Sequence, residues 1–212
     1  MKKALFSGLL LSLLTLSTNA SIIYSVDDGI ADNSMGITSG GTMEWANQFN
    51  AISGGEMITS VEVAFGQIED GTAVTVSLYD DVNNDGTPDD LSLLTSIAGV
   101  VSNQNTNIFN MFDIMDTNVS ESFFVSVTIT HEANYYPAAF DQSSFNGQSW
   151  VSAPSAGIGW DKIDNFGLAG NFLIRANAEA VSEPAMLSML SLGILGLMAH
   201  RRGKKRLFKK IL

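Results

Sequence analysis

MITSVEVAFGQIEDGTAVTVSLY, residues 57–79, decides the class of fold. In its first half Val61, Val63 and Phe65 alternate with Glu62 and Ala64; in its second, Val74, Val76 and Leu78 alternate with Thr75 and Ser77. A period of two sends successive side chains to opposite faces of a pleated strand, so each half reads as a strand with one buried face. Residues 122–130 repeat the pattern, with Phe123, Val125, Val127 and Ile129 inward and Ser126, Thr128 and Thr130 outward.

Working outward, further strand candidates lie at 21–26, 42–50, 91–101, 105–114, 135–140, 149–153 and 171–178, with Gly99 interrupting one of them. Residues 32–41 are small and polar and read as loop, as does the glycine-flanked stretch from Gly157 to Gly170. Short strands, turns rich in Gly, Asn and Asp, and no amphipathic helical period predict an all-β antiparallel sandwich or jelly roll. The pattern does not fix strand order and leaves a closed barrel open.

Both ends of the chain differ from this middle. Met1-Lys2-Lys3, the apolar run 4–16 and Thr18-Asn19-Ala20 compose a signal peptide over residues 1–20, which implies signal peptidase and the general secretion machinery as partners. Residues 21–181 then form one secreted domain. At the other end Ser182-Glu183-Pro184 precedes an apolar run, 185–199, and then His200 and seven Lys/Arg from Arg201 to Lys210. As a helix the run spans about 22 Å, short of the roughly 30 Å hydrocarbon core. It therefore predicts a transmembrane helix in a thin or locally thinned bilayer, with residues 200–212 as a basic cytoplasmic end.

This three-part tail resembles the PEP-CTERM sorting signal of Gram-negative bacteria, in which Pro-Glu-Pro precedes a short membrane helix and an Arg-rich end. Glu183 and Pro184 match the motif, and Ser182 replaces its first proline. The resemblance implies recognition by an exosortase-type processing enzyme and anchoring in the inner membrane during sorting. It also implies final residence at the cell surface or in an exopolysaccharide or biofilm matrix. It covers residues 182–212 and concerns addressing, not activity.

Charge is segregated along the chain. Of 22 acidic residues only Glu183 lies outside 21–181, and of 11 basic residues only Lys162 and Arg175 lie inside, so the domain carries 2 minus 21, or −19. Such a surface excludes nucleic acid as a partner and repels acidic polysaccharide unless divalent cations intervene. The same acidity also serves solubility alone. There is no cysteine, so no disulfide supports the fold.

The sharpest local signal is DDVNNDGTPDD, residues 80–90. Asp81, Asn83 and Asp85 alternate as at positions 1, 3 and 5 of a calcium loop; Gly86 supplies the turn, Thr87 a carbonyl, and Asp89 sits at position 9. The stretch resembles the loops of EF-hand-like, dockerin-like and thrombospondin type 3 motifs. Ser92 stands where those loops carry a bidentate Glu, so Asp80 or Asp90 must complete a Ca2+ shell. The competing reading is a solvated acidic connection between two strands.

Trp45, Trp150 and Trp160, with Tyr135 and Tyr136, are candidates for a sugar-stacking platform, or equally for core and rim packing. Trp160, beside Asp161, is the best placed for exposure. Catalysis has few parts: His131 is the only histidine of the domain and reads as a surface residue, and nucleophilic triads and His-rich zinc sites lack members. Arg175 is expected to pair with a carboxylate. The sequence thus predicts a non-enzymatic surface or matrix protein, structural or adhesive; a calcium-assisted carbohydrate-binding module is the alternative, and a polysaccharide-acting enzyme the third reading.

Overall fold

Residues 57–63 and 73–81, the two halves of the opening stretch, form strands in different sheets. The computed structural model describes residues 21–180; the signal segment, the motif Ser182-Glu183-Pro184 and the apolar run 185–199 lie outside the described residues. The strands are β1 (Ser21–Tyr24), β2 (Asn33–Met35), β3 (Gly41–Asn50), β4 (Met57–Val63), β5 (Phe65–Gln67), β6 (Ala73–Asp81) and β7 (Leu91–Val100). There follow β8 (Asn110–Asn118), β9 (Ser122–His131), β10 (Tyr136–Asp141), β11 (Ser149–Ala153), β12 (Ile158–Lys162), β13 (Asn171–Phe172) and β14 (Ile174–Glu179). No helix among the described residues is long and apolar enough to cross a membrane.

One layer is a six-stranded sheet in the order β12-β11-β3-β9-β6-β7, all antiparallel. The other joins two smaller sheets, β1-β14-β4-β8 and β13-β10-β2. They meet at a fork. β4 continues past Ala64 into β5, β13 continues past Leu173 into β14, and β10 pairs with both β5 and β13. At the branch Ala64 N–H donates to Leu173 O (3.1 Å) and Leu173 N–H to Ala139 O (3.2 Å), so both amides keep partners where the sheet divides. The predicted all-β sandwich is therefore seen as a sandwich-like pair of antiparallel layers.

The inward face of β9 carries Phe123, Val125, Val127 and Ile129, none more than 2% exposed. They meet Ile58, Val61, Val63, Ile174 and Ala176 from the facing layer in one continuous core. Aromatic edges lock the layers together: Tyr24 on Phe123 (5.2 Å) and Trp45 on Phe172 (6.5 Å). Burying each such side chain stabilises the fold by roughly 1.5–3 kcal/mol.

Two polar knots close the sandwich at its margins. The wholly buried Asp141, at the end of β10, accepts from the backbone N–H groups of Asp28 (3.0 Å) and Ser143 (2.8 Å) and from the hydroxyls of Ser143 and Ser144. Burial alone would raise its pKa, but these donors outweigh it and hold the carboxyl at about 2. The expected partner of Arg175 is Asp27: Nη2 lies 2.6 Å and Nε 3.2 Å from Oδ1, while the guanidinium sits 4.1 Å from the Phe109 ring centre.

Three expectations change. Residues 32–41 and 157–170, read as loop, contribute β2 and β12. His131 is buried, 6% exposed, rather than a surface residue. Its Nδ1 lies 2.8 Å from the Glu132 carbonyl and must donate, which leaves Nε2 to accept from Ile37 N–H at 3.4 Å.

Candidate functional site

The acidic stretch is the connection between β6 and β7, whose ends pair Asp81 with Leu91. The chain turns sharply in this long connection where Asn84 (φ 57°) and Gly86 (φ 77°) occupy left-handed backbone positions. Within it, Asn83 Oδ1 accepts from Asp85 N–H (2.9 Å) and Asp81 Oδ2 from Gly86 N–H (2.8 Å). The loop is moored to the start of β9: Asn84 Oδ1 accepts from Ser122 N–H (2.9 Å), and Asp80 Oδ1 from Ser120 N–H (2.8 Å).

What these bonds leave over is informative. Asp81 is wholly buried, yet its Oδ1 has no hydrogen-bond partner, and neither does the buried Oδ1 of Asp90. Desolvation first, and then the charges of Asp81, Asp89 and Asp85, push the Asp90 pKa up. The Thr87 hydroxyl lies 2.7 Å from Asp85 Oδ1 and 2.6 Å from Asp89 Oδ1, but with one proton it serves only one of those carboxylates at a time. Hydrogen bonds to Thr87 hold the Asp85 carboxyl below its usual range.

A buried carboxylate oxygen without a donor is costly, and two in one loop are more so. A hard divalent cation would satisfy both, together with the side chains of Asn83, Asp85 and Asp89 and the Thr87 carbonyl. Asp80 is already engaged with Ser120, so of Asp80 and Asp90 the latter is better placed to complete a shell. Among the described residues no three His, Cys, Asp or Glu side chains converge into a preformed metal cage. The loop residues supply oxygen donors of the kind calcium takes.

The tryptophans do not form one platform. Trp45 is 0% exposed in the core, on the face of its sheet opposite Trp150, and so cannot present a ring to a ligand. Trp150, on the outer face, is 7% exposed; Phe124 packs edge-on at 6.4 Å and Lys162 Nζ lies 5.1 Å over its ring. Trp160 is partly exposed and joins the same outer cluster, with Tyr79 and Leu91. Leu91 follows Asp90 directly, so the acidic loop borders the aromatic cluster. Beside it Ser126 donates to Glu44 Oε1 (2.5 Å); burial and the Glu44 charge raise the Tyr79 pKa. Tyr135 donates to Glu69 Oε1 (2.6 Å), away from this cluster.

No protein-family model matches the chain, and no curated protein matches it by sequence. Among solved structures, a variant of the clostridial cysteine protease Cwp84 after propeptide cleavage is similar in fold, with 15% identity and a TM-score of 0.57 over 76% of this chain. A structure of the cysteine protease and lectin-like domains of Cwp84, a surface layer associated protein of Clostridium difficile, matches at 16% identity with a TM-score of 0.49. This chain spans 40% and 36% of those chains. The likeness concerns the fold alone, and with no cysteine this chain carries no cysteine nucleophile.

Proposed function

We propose that the chain is an exported, non-catalytic module of the bacterial cell surface or extracellular matrix that takes up calcium in its 80–90 loop. The observation that carries the calcium reading is the pair of buried, partnerless oxygens, Asp81 Oδ1 and Asp90 Oδ1. Export and delivery rest on the signal-like residues 1–20 and on the tail with Ser182, Glu183 and Pro184. An exosortase-type enzyme would process that tail, and exopolysaccharide is the surrounding matrix. The role in that matrix is structural or adhesive, with calcium ordering the domain.

Calcium titrated calorimetrically into the chelator-treated full chain tests the site. Saturable binding is expected in the parent, lost in an Asp81→Ala, Asp85→Ala double variant and weakened at least about tenfold in Asp90→Asn, which keeps the shape but gives up the charge. Equal binding in all three would sink the site. The address has its own test: deletion of residues 182–212 should move the protein away from the envelope, and an unchanged location would remove the sorting reading.

The second reading, a calcium-assisted carbohydrate-binding module, is favoured by one contact, that of Leu91 with the cluster holding Trp150 and Trp160. Glycan binding that needs calcium and is lost in Trp160→Ala would support it over a purely structural role.

A further inference from the structure

The fork in the divided layer opens on one side into a cleft of about 630 Å³, lined by segments 31–34, 65–67 and 105–107 and by Tyr136. None of these residues belongs to the acidic loop or to the tryptophan cluster. The volume falls within the roughly 300–1,000 Å³ of small-molecule sites. We infer that this cleft binds an uncharged saccharide.

The floor is built for close approach. At Gly66 a Cβ would lie 2.5 Å from Tyr136 O and 2.6 Å from Ser34 Oγ, so β2, β5 and β10 converge there more tightly than any side chain allows. The 103–107 arm is pinned to that floor: Asn105 N–H lies 3.0 Å from both the Phe65 and the Gly66 carbonyls. Pinning the arm to β5 fixes its polar groups before a ligand arrives, which lowers the ordering cost of binding.

The polar groups mix donors and acceptors in the way vicinal hydroxyls require. Asp32 uses Oδ2 to accept from Gln142 N–H (2.8 Å), and Asn107 uses Oδ1 to accept from Ala31 N–H (2.9 Å). Oδ1 of Asp32 and the amide NH2 of Asn107 are left for a ligand. The exposed Gln67 adds both an acceptor and two donors, and the half-buried Tyr136 adds a flat ring with a hydroxyl at its edge. A sugar hydroxyl can donate to the carboxylate and accept from an amide at once, and an aromatic lining residue such as Tyr136 suits the apolar face of a sugar ring.

Charge selects among sugars. The lining contains Asp32 and no cation, and the domain as a whole carries −19. A uronate or sulfated sugar would meet repulsion with no compensating guanidinium or ammonium, so a neutral hexose unit is the chemistry that fits.

Titration calorimetry of the purified full chain against neutral gluco-, galacto- and manno-configured hexo-oligosaccharides, with galacturonan oligomers as the anionic control, tests this. Saturable binding of a neutral oligomer is expected, weakened about tenfold in Gln67→Ala and in Tyr136→Ala, because each removes a partner from a polar contact. Gln67 is exposed, so its variant should melt like the parent and separates lost binding from lost folding. Binding should persist in chelator and in the Asp81→Ala, Asp85→Ala variant, which keeps this site's fate distinct from that of the calcium loop. Absence of binding across the neutral panel would overturn the inference, as would equal affinity for galacturonan. Binding untouched by both cleft variants but lost in Trp160→Ala would overturn it too and place the sugar on the tryptophan face.

Discussion

Asp141 shows how one carboxylate can hold a margin of the fold. Replacing it with Asn keeps the volume but turns one acceptor into a donor facing other donors, and the variant should lose about 1–3 kcal/mol. The pH dependence has a definite sign. With a folded pKa of about 2 against 3.8 unfolded, the group contributes stability that is complete above 3.8 and lost as pH falls through 2. Chemical denaturation from pH 7 to pH 2 should therefore show the parent and Asp141→Asn converging at the acid end. Parallel profiles would place the stabilisation elsewhere. Arg175 makes the companion case. Arg175→Met strands the Asp27 carboxylate, whose side chain is 0% exposed, and should cost about 3–5 kcal/mol. Adding Asp27→Asn should return part of that loss, whereas additive losses in the double variant would deny that the pair acts as a unit.

At the level of strands, Gly99 explains an interruption that composition alone left unexplained. A Cβ there would lie 2.6 Å from the Phe112 ring, so β7 and the facing β8 touch through a missing side chain. Gly99→Val should overpack this seam and cost about 1–3 kcal/mol, with a lower melting temperature as the readout. A variant melting like the parent would mean the ring has room to move. The strands legible in the sequence were those in which apolar and polar residues alternate: β4, β6 and β9 do so, and Val61, Val76 and Val127 are fully buried as expected. The reading of an outward face as wet failed where a second cluster covers it, and very short strands were not legible at all. Phe124 and Ser126 face away from the core but are 0% exposed, because the outer aromatic cluster covers them. β2 and β5 are three residues long and exist only because the fork offers them partners, which no local period can announce, whereas the two residues of β13 fall within the candidate strand 171–178. The loop chemistry was readable from spacing. The place of Asp90 was not, since it depends on how β7 folds back. The cleft was hidden because its walls come from four distant segments.

For the molecule as a whole, the proposed calcium site would tie charge to stability. With −19 on the domain and the Asp90 pKa raised by desolvation and then by neighbouring carboxylates, the fold carries repulsion that should fall when pH drops and Asp90 takes a proton, or on the proposed binding of calcium at neutral pH. Calcium at about 100 times its Kd should stabilise the chain by about 2.7 kcal/mol, seen as a rise in melting temperature that chelator reverses. Asp81→Ala, Asp85→Ala should show no such rise, and an equal rise in that variant would assign the effect to general screening. Magnesium, which dehydrates reluctantly and demands octahedral geometry, should do less at equal concentration.

The pairing of β14 bears on how the domain would carry load. A pull applied at residue 180 would act on a strand zipped on both sides, to β1 through Ser21–Tyr24 and to β4 through Met57–Val63. Tension along that strand must slide it past two neighbours and break many hydrogen bonds together, instead of peeling them off one by one. Hung by this end, the domain would be clamped at its own point of suspension.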